Sequence, residues 1–425
     1  MNYGSLSTID IININKMQDF KTPYYLYDEK KIRTNCRYFK NAFAKYFPKF
    51  KPLYAVKTNP NPHLLYTILD EGFGLDCSTS AEVWIARRLG ASGMFTSNYL
   101  SSDDLNNFDN TNIILNLDDN ISNIAQLKKL PNVISFRINL GEVTADYALS
   151  GKDSKFGIPI ESALHAYSEA KKLGVTEFGI HMMIGSNILQ ISDYINSFKA
   201  LLECIYKIQK HAGIKIKFIN IGGGFGFSYS DLTETLPLDL LAMELRRVFD
   251  SCNRDYSIAE PVLYAEPGRI IVADTGLLVA SITHIKNGYK KFIGLNVSSN
   301  SMPRPAWFNA FHKIEVITNL QGHEYASVVG SICDNSDQFA RDRLLPKCKV
   351  GDLVVIKDCG AYGYSQSSQF CGHLRPAEYI ITEFGEVKLI RQPESIEDLY
   401  RSCLLDKLAN SKIYHNKDSN DQKLA

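Results

Sequence analysis

The sequence predicts an α/β fold: a (β/α)8 TIM-like barrel followed by a C-terminal β domain, built as a barrel or a sandwich. From about Glu29 to Asn287, strand-like and helix-like segments alternate, as they do in a parallel βα barrel. From about Lys290 the helices thin out and short strands follow one another, as in a separate β unit. A third observation agrees with these two. Lys57 closes the apolar strand-like run Leu53 to Val56, and barrels of this kind carry their catalytic side chains at strand C-termini.

The elements follow in order. Thr22 to Asp28 is a strand rich in aromatics. Asn112 to Asn116, Val133 to Ile138 and Lys217 to Ile221 are apolar, β-branched runs of strand length, and Ser80 to Leu89, Ile160 to Lys172 and Tyr194 to Ala212 are helical. Phe292 to Val297, Lys313 to Ile317, Ala326 to Gly330 and Asp352 to Ile356 are the strands of the β domain. The division expected is 1–35 as an N-terminal segment joining the β domain, 36–285 as the barrel, 286–400 as the β domain and 405–425 as a flexible polar tail.

Composition narrows the function. The chain of 425 residues is 45% hydrophobic and 22% charged, ordinary for a soluble enzyme. With 47 basic and 46 acidic residues the net charge is +1, so nothing points to nucleic acid or an anionic membrane as partner. No apolar stretch is long enough to span a bilayer, and Met1 to Asp19 has no apolar signal core, so a cytoplasmic protein is expected. The nine cysteines are dispersed, without CxxC or zinc-like Cys/His spacing; they read as free thiols and no metal site is expected.

Six motifs carry chemistry. Lys57 presents an amine that can form a Schiff base with a carbonyl cofactor, and burial would lower its pKa. Gly222-Gly223-Gly224 follows a strand and lets backbone N–H groups approach a phosphate, although a tight turn reads the same way. Ser186, in Ile184-Gly185-Ser186-Asn187, offers a hydroxyl to the same anion or caps a helix. Glu266, in Glu266-Pro267-Gly268-Arg269, is an acid at a strand end; it needs a cation, either Arg269 or a protonated ring nitrogen that it would keep protonated. In the β domain, Ser331 to Asp337 gathers Cys333, Asp334 and Asp337 on a loop, and Gly360-Ala361-Tyr362-Gly363 sets a phenol between glycines.

In this order these stretches resemble the fold-type III pyridoxal-phosphate amino-acid decarboxylases, which include diaminopimelate, ornithine and arginine decarboxylases. The diaminopimelate branch is the most similar. Pro23 to Tyr27, Ser154 to Ile158, Arg304-Pro305-Ala306 and Leu374 to Glu378 add to the likeness, which runs from about Thr22 to Ile396. The resemblance implies that Lys57 carries pyridoxal 5'-phosphate, with Asp76 nearby. It implies that Ser186, Gly222, Gly223, Gly224, Gly268, Arg269 and Tyr362 surround the phosphate and that Glu266 pairs with the pyridine nitrogen. Arg269, Arg304, Phe308, Asp334 and Tyr362 match substrate-binding positions. Cys333 would come from the second subunit of a homodimer and help protonate the carbanion, so that the active sites are shared.

Three positions depart from the diaminopimelate pattern. Met183 stands where a histidine usually stacks on the cofactor, with His181 on the same side of the strand but one layer away. Asp334 replaces a glutamate, and Phe308 replaces a tyrosine. The activity expected is decarboxylation of meso-diaminopimelate to L-lysine. The alternatives are decarboxylation of lysine or ornithine of either hand, or of a diamino-acid biosynthetic intermediate. A catalytically inactive regulatory homologue has no need of Lys57, Glu266 and Cys333 together, and an amino-acid racemase fits the Cys333 and Arg375 to Glu378 stretches poorly.

Overall fold

The computed structural model describes residues 20–403, apart from 109–111, 119–126, 128, 142–147 and 231. The tail expected at 405–425 lies outside the described residues, as do residues 1–19 of the N-terminal segment. Strand β1 (Tyr24–Asp28) opens the described chain, and the Asp28 carboxylate accepts from the Lys31 N–H to cap the helix Glu29–Ala44.

Eight parallel strands then close a barrel: β2 (Phe50–Ala55), β3 (Gly74–Cys77), β4 (Gly93–Ser97), β5 (Ile113–Leu117), β6 (Val133–Ile138), β7 (Glu177–Met182), β8 (Ile216–Asn220) and β9 (Val262–Ala265), which pairs back onto β2. Alternation sends every second side chain inward. Buried Leu53, Met94 and Phe218 pack together as an apolar floor. Gly179 is bare because a Cβ there would meet the Phe218 ring at 1.9 Å. Further along the strands come Asp76, Asn116, His181 and Asn220, which are polar and almost wholly buried. This polar layer underlies the strand C-termini.

The β domain comprises β10 (Gly276–Asn287), β11 (Lys291–Leu295), β12 (Ile314–Ile317), β13 (His323–Val329), β14 (Gln338–Pro346), β15 (Leu353–Ile356), β16 (Ala377–Ile381) and β17 (Val387–Arg391). With β1 they form one nine-stranded mixed sheet in the order β14-β13-β11-β10-β1-β16-β17, in which β15 joins β10 and β12 joins β15. The long β10 serves both halves: Gly276 to Val279 pair with β1, and Ile282 to Asn287 with β11. Tyr24, Leu26, Leu277, Val279, Val355 and Ala377 form a core under this sheet.

Two boundaries differ from the sequence division. Because β10 belongs to the sheet over its whole length, the change of domain falls at Gly276 rather than after 285. The cut at 35 falls inside the helix Glu29–Ala44, which packs against barrel helices at 62–70 and 238–256. Within the segment 20–35, only β1 pairs in the sheet.

The two units are fastened beside the first barrel strand. Glu378 is fully buried and accepts from Tyr27 Oη (2.6 Å) and Asn61 Nδ2 (2.9 Å), with Arg391 as its ion-pair partner. Asn59 Nδ2 donates to the Gly360 carbonyl (3.1 Å), and the Tyr362 N–H donates to the Thr58 carbonyl (2.9 Å). These bonds lay the 360–364 loop over the turn that carries Lys57. No helix among the described residues is long and apolar enough to cross a membrane.

Candidate active site

Lys57 sits on a single 3-10 turn, Val56–Thr58, just beyond β2. Register pairs Ala55 with Asp76 on β3, which brings the Asp76 carboxylate under the lysine. Lys57 Nζ donates to Asp76 Oδ2 (3.0 Å) and to Ser78 Oγ (3.4 Å). The Lys57 side chain is 44% exposed toward the opening, while that of Asp76 is 1% exposed. Burial by itself would push the amine down, as the sequence reading expected. The charges of Asp76, Tyr362 and Glu266 outweigh it, and the ammonium is held above its ordinary value. Burial and the charge of Glu266 in turn push the Asp76 carboxyl up. Asp76 is therefore the buried counter-ion of the Lys57 ammonium.

Glu266 follows β9 and is buried. Its Oε1 accepts from Asn220 Nδ2 (2.7 Å), and its Oε2 lies 3.3 Å from His181 Nε2. Asn116 Nδ2 lies 3.0 Å from His181 Nδ1. Burial pushes the Glu266 carboxyl up, but His181, Lys57 and Asn220 outweigh it and hold the group below its ordinary value. It is thus an anion at the foot of the cavity. His181 lies beneath Glu266, a layer inward from the place of Met183, as alternation along β7 requires.

A cavity stands above these residues, lined in part by Lys57, Met183, Ser186, Glu266, Arg269 and Tyr362. Gly223 and Gly224 close one side. A Cβ on Gly223 would lie 2.4 Å from the Glu266 carbonyl oxygen, and one on Gly224 would lie 2.4 Å from that of Gly185. Gly222 and Gly224 also have φ of 69° and 89°, which disfavours any other residue. The Gly222 N–H is held by Asn220 Oδ1 (2.8 Å), and the Gly223 N–H points at Met183 Sδ (3.2 Å). Gly268 is as tight, since a Cβ there would meet Thr58 Oγ1 at 2.1 Å.

Arg269 and Arg304 flank Tyr229. Arg269 Nη1 donates to Tyr229 Oη (2.8 Å) and Nη2 to Ser186 Oγ (3.4 Å), and its guanidinium lies 4.8 Å from the Tyr362 ring centre. Arg304, at the start of the helix Arg304–Phe308, lies 4.5 Å from the Tyr229 ring centre. Its Nε donates to His312 Nε2 (3.2 Å), and His312 Nδ1 lies 2.8 Å from the Lys357 carbonyl. Burial, with the charge of Arg304 added, pushes His312 down to about 3, so it is a neutral acceptor for Arg304. Among the described residues, no carboxylate pairs with Arg304, which is 7% exposed.

Not every residue singled out in the sequence comes together in one chain. Phe308 is 43% exposed on the helix Arg304–Phe308 and does not line the cavity. Cys333 and Asp334 lie on an exposed loop of the β domain, also away from the cavity. Asp334 Oδ1 accepts from the Ser336 N–H and hydroxyl, both at 2.7 Å. Four residues of the site were missed by sequence reasoning. Asn116 and Asn220 carry a signal, an amide inside an otherwise apolar barrel strand. Tyr229 and His312 carry none that the sequence ties to the site.

This is the site of a barrel enzyme built around an amine, a phosphate-sized glycine cradle and a buried acid that can pair with a cationic ring nitrogen. Pyridoxal phosphate fits these residues. Asp76 Oδ1 is buried without a hydrogen-bond partner, and the cradle has no room for even a Cβ on Gly223 or Gly224.

The comparisons agree. The chain belongs to the pyridoxal-dependent decarboxylases, whose pyridoxal-binding domain matches residues 29–273. It is 32% identical over 397 residues to a diaminopimelate decarboxylase of Methanothermobacter thermautotrophicus, covering 90% of this chain and 92% of that one. It is 34% identical over 385 residues to protein TabA of Pseudomonas amygdali pv. tabaci, covering 89% and 90%. Diaminopimelate decarboxylase of Helicobacter pylori, solved with L-lysine, superposes with a TM-score of 0.84 at 28% identity, covering 93% of this chain and all of that one. The chain is therefore a pyridoxal-phosphate-dependent carboxy-lyase of the amino-acid decarboxylase type.

Proposed function

We propose that the protein decarboxylates meso-diaminopimelate to L-lysine, as a cytoplasmic homodimer with shared active sites. The observation that carries the substrate is Arg304, a buried cation that meets no carboxylate among the described residues and shares Tyr229 with Arg269. A desolvated arginine is costly unless an anion completes it, and two guanidiniums suit a second carboxylate. The diaminopimelate decarboxylases similar over most of the chain point the same way.

The roles follow from position. Lys57 would hold the cofactor, with Asp76 beneath it as counter-ion to the free amine. Ser186, Gly223, Gly224 and Gly268 would receive the phosphate, with Arg269 and Tyr362 beside it; Gly222, whose N–H is held by Asn220 Oδ1, would shape the turn rather than bind. Glu266, braced by His181 and Asn220, would pair with the ring nitrogen, and Met183, which lines the same cavity, would pack beside the ring. The bound cofactor supplies an electron sink for the bond between Cα and the departing carboxylate. Arg269, Arg304 and Tyr362 fix the retained carboxylate and so orient that bond. Cys333 and Asp334 of one protomer complete the other's site, where Cys333 delivers the proton that replaces CO2 and Asp334 meets the distal amine.

A second substrate reading rests on Phe308 and Asp334. Phe308 has no hydroxyl to offer a carboxylate, and Asp334 is one methylene shorter than glutamate; a related diamino acid would suit them.

Mass-spectrometric product detection decides. Cofactor-loaded protein is given meso-diaminopimelate and, separately, both hands of lysine, ornithine and arginine. L-Lysine from diaminopimelate alone supports the proposal; a diamine from another substrate overturns it. Wild type should be yellow and Lys57→Ala colourless.

A further inference from the structure

Of the nine cysteines, five are buried and one is half-buried, the ordinary fate of a small apolar side chain. Three are exposed: Cys333, Cys371 and Cys403. Two of these meet. Cys333 Sγ lies 3.5 Å from Cys371 Sγ, across 38 residues of sequence and between two loops of the β domain. No packing reason places them there. Cys371 also has φ of 57°, a left-handed conformation that favours glycine or asparagine over cysteine. We propose that Cys333 and Cys371 form a reactive dithiol, a modification site that closes to an intrachain disulfide on meeting a two-electron oxidant of the peroxide class.

The geometry is one step from closure, since a disulfide needs its sulfurs at about 2.05 Å. The Cys333 loop is fixed: the Ser331 N–H donates to Ser298 Oγ (2.8 Å) and the Ile332 N–H to Asp337 Oδ2 (2.9 Å). The Cys371 turn can yield. Phe370–Gly372 is a kinked turn with Cys371 left-handed at its centre, and nothing lies within 4 Å of where a Cβ on Gly372 would stand. Closure therefore brings Cys371 to Cys333.

The chemistry balances with hydrogen peroxide. One thiolate attacks the O–O bond, forming S–O; the departing hydroxide takes a proton and leaves as water. The second sulfur attacks the first, S–S forms, and S–OH breaks to release a second water. Two thiols are oxidised and one peroxide is reduced. A thiol reductant reverses it.

The effect on turnover rests on the proposed role of Cys333. A sulfur held in a disulfide has no proton to deliver, so closure switches off the partner's site. Access is provided for, because any substrate must reach Cys333 and peroxide is smaller.

The experiment uses reduced, full-length, cofactor-loaded protein treated with hydrogen peroxide, quenched by alkylation and mapped by peptide mass spectrometry, with turnover of meso-diaminopimelate followed in parallel. Expected is one linked peptide pair joining Cys333 and Cys371, lighter by two hydrogens than the two free peptides. Turnover should fall roughly a hundredfold, the low end of what a positioned proton donor contributes, and return with dithiothreitol. Cys371→Ser should keep its basal turnover, form no linked pair and lose the recovery by dithiothreitol, because Cys333 then overoxidises. Both cysteines still alkylated after peroxide, or Cys333 linked to a cysteine of another chain, overturns the proposal. The linked peptide is read without turnover, so a wild type inactive on diaminopimelate refutes the substrate reading and leaves this test intact.

Discussion

Replacing Arg304 with methionine separates binding from stability. The guanidinium is buried, its Nε bound to His312 and its plane near Tyr229. Burial and the charge of Arg269 push it below its ordinary value, a sign that the site strains to hold the cation. Exchanging buried charges for apolar groups is commonly neutral or stabilising by about 1–4 kcal/mol. Against that, His312 Nε2 loses its donor, which costs about 1–3 kcal/mol. The two nearly offset, and for 425 residues a net 1 kcal/mol moves Tm by roughly 1 °C. Binding has no such offset. A carboxylate that loses two hydrogen bonds to a charged donor loses about 3–6 kcal/mol, roughly a 10²- to 10⁴-fold fall in kcat/KM. The assay is steady-state lysine formation on cofactor-loaded protein, with a thermal melt and a visible spectrum alongside. Expected is a large loss of kcat/KM, Tm within a few degrees and an unchanged cofactor band. A kcat/KM within about threefold of wild type, or a Tm that collapses with activity, refutes the reasoning.

His312→Phe, which leaves the Arg304 Nε–H without an acceptor, should raise KM about tenfold, while His312→Gln keeps an acceptor and stays near wild type. His312 has an ordinary value of 6.5 and is held at about 3, so its neutral form contributes stability that is full above 6.5 and declines toward 3; urea melts of His312→Gln should lose that part of the acid limb. Gly223→Ala should abolish cofactor retention, read as loss of the visible band, because the added carbon meets the Glu266 carbonyl oxygen at 2.4 Å. Asp358 is pushed from 3.8 to about 6 by burial and by Asp274, so its stabilising protonated form is lost as pH rises through about 6. Asp358→Asn should therefore raise stability by about 1–2 kcal/mol at pH 8 and little at pH 4, with asparagine also suiting the φ of 59°. Equal gains at both pH values would show that backbone fit and not charge is responsible.

Most of the fold was legible because its signals are local. Alternating apolar runs marked the barrel strands at Val133–Ile138 and Ile216–Asn220, and sequence periodicity marked the helix Ile160–Lys172. Among the strands that escaped were β3, β4, β10, β14, β16 and β17. In β17, Val387–Arg391, each face of an edge strand carries one charge, Arg391 on one and Lys388 on the other, and no residue is fully buried, so there is little apolar signal to read. The long β10 runs from a buried first half into an exposed polar one, and its continuity is set by two different partner strands.

The electrostatics of the site failed to show in the sequence for a different reason. Read alone, a lysine after an apolar strand should have its amine pushed down by burial. The opposite holds because register sets Ala55 against Asp76, so a carboxylate from the next strand reaches Nζ at 3.0 Å. No window around Lys57 contains that fact. Arg304 is the mirror case. Its sequence surroundings give no hint that it is buried beside Arg269, across a tyrosine, without an acid. The two together explain how one cavity can sort its ligands. Beside Lys57 the protein supplies the counter-charge itself, so the ammonium is held in place over Asp76. Around Arg304 the described residues supply no carboxylate, so on the proposed reading the cost of the buried cation is relieved by a ligand that brings its own anion. Selection for a second carboxylate would then rest on a counter-charge left to the ligand, which no stretch of sequence around Arg304 displays.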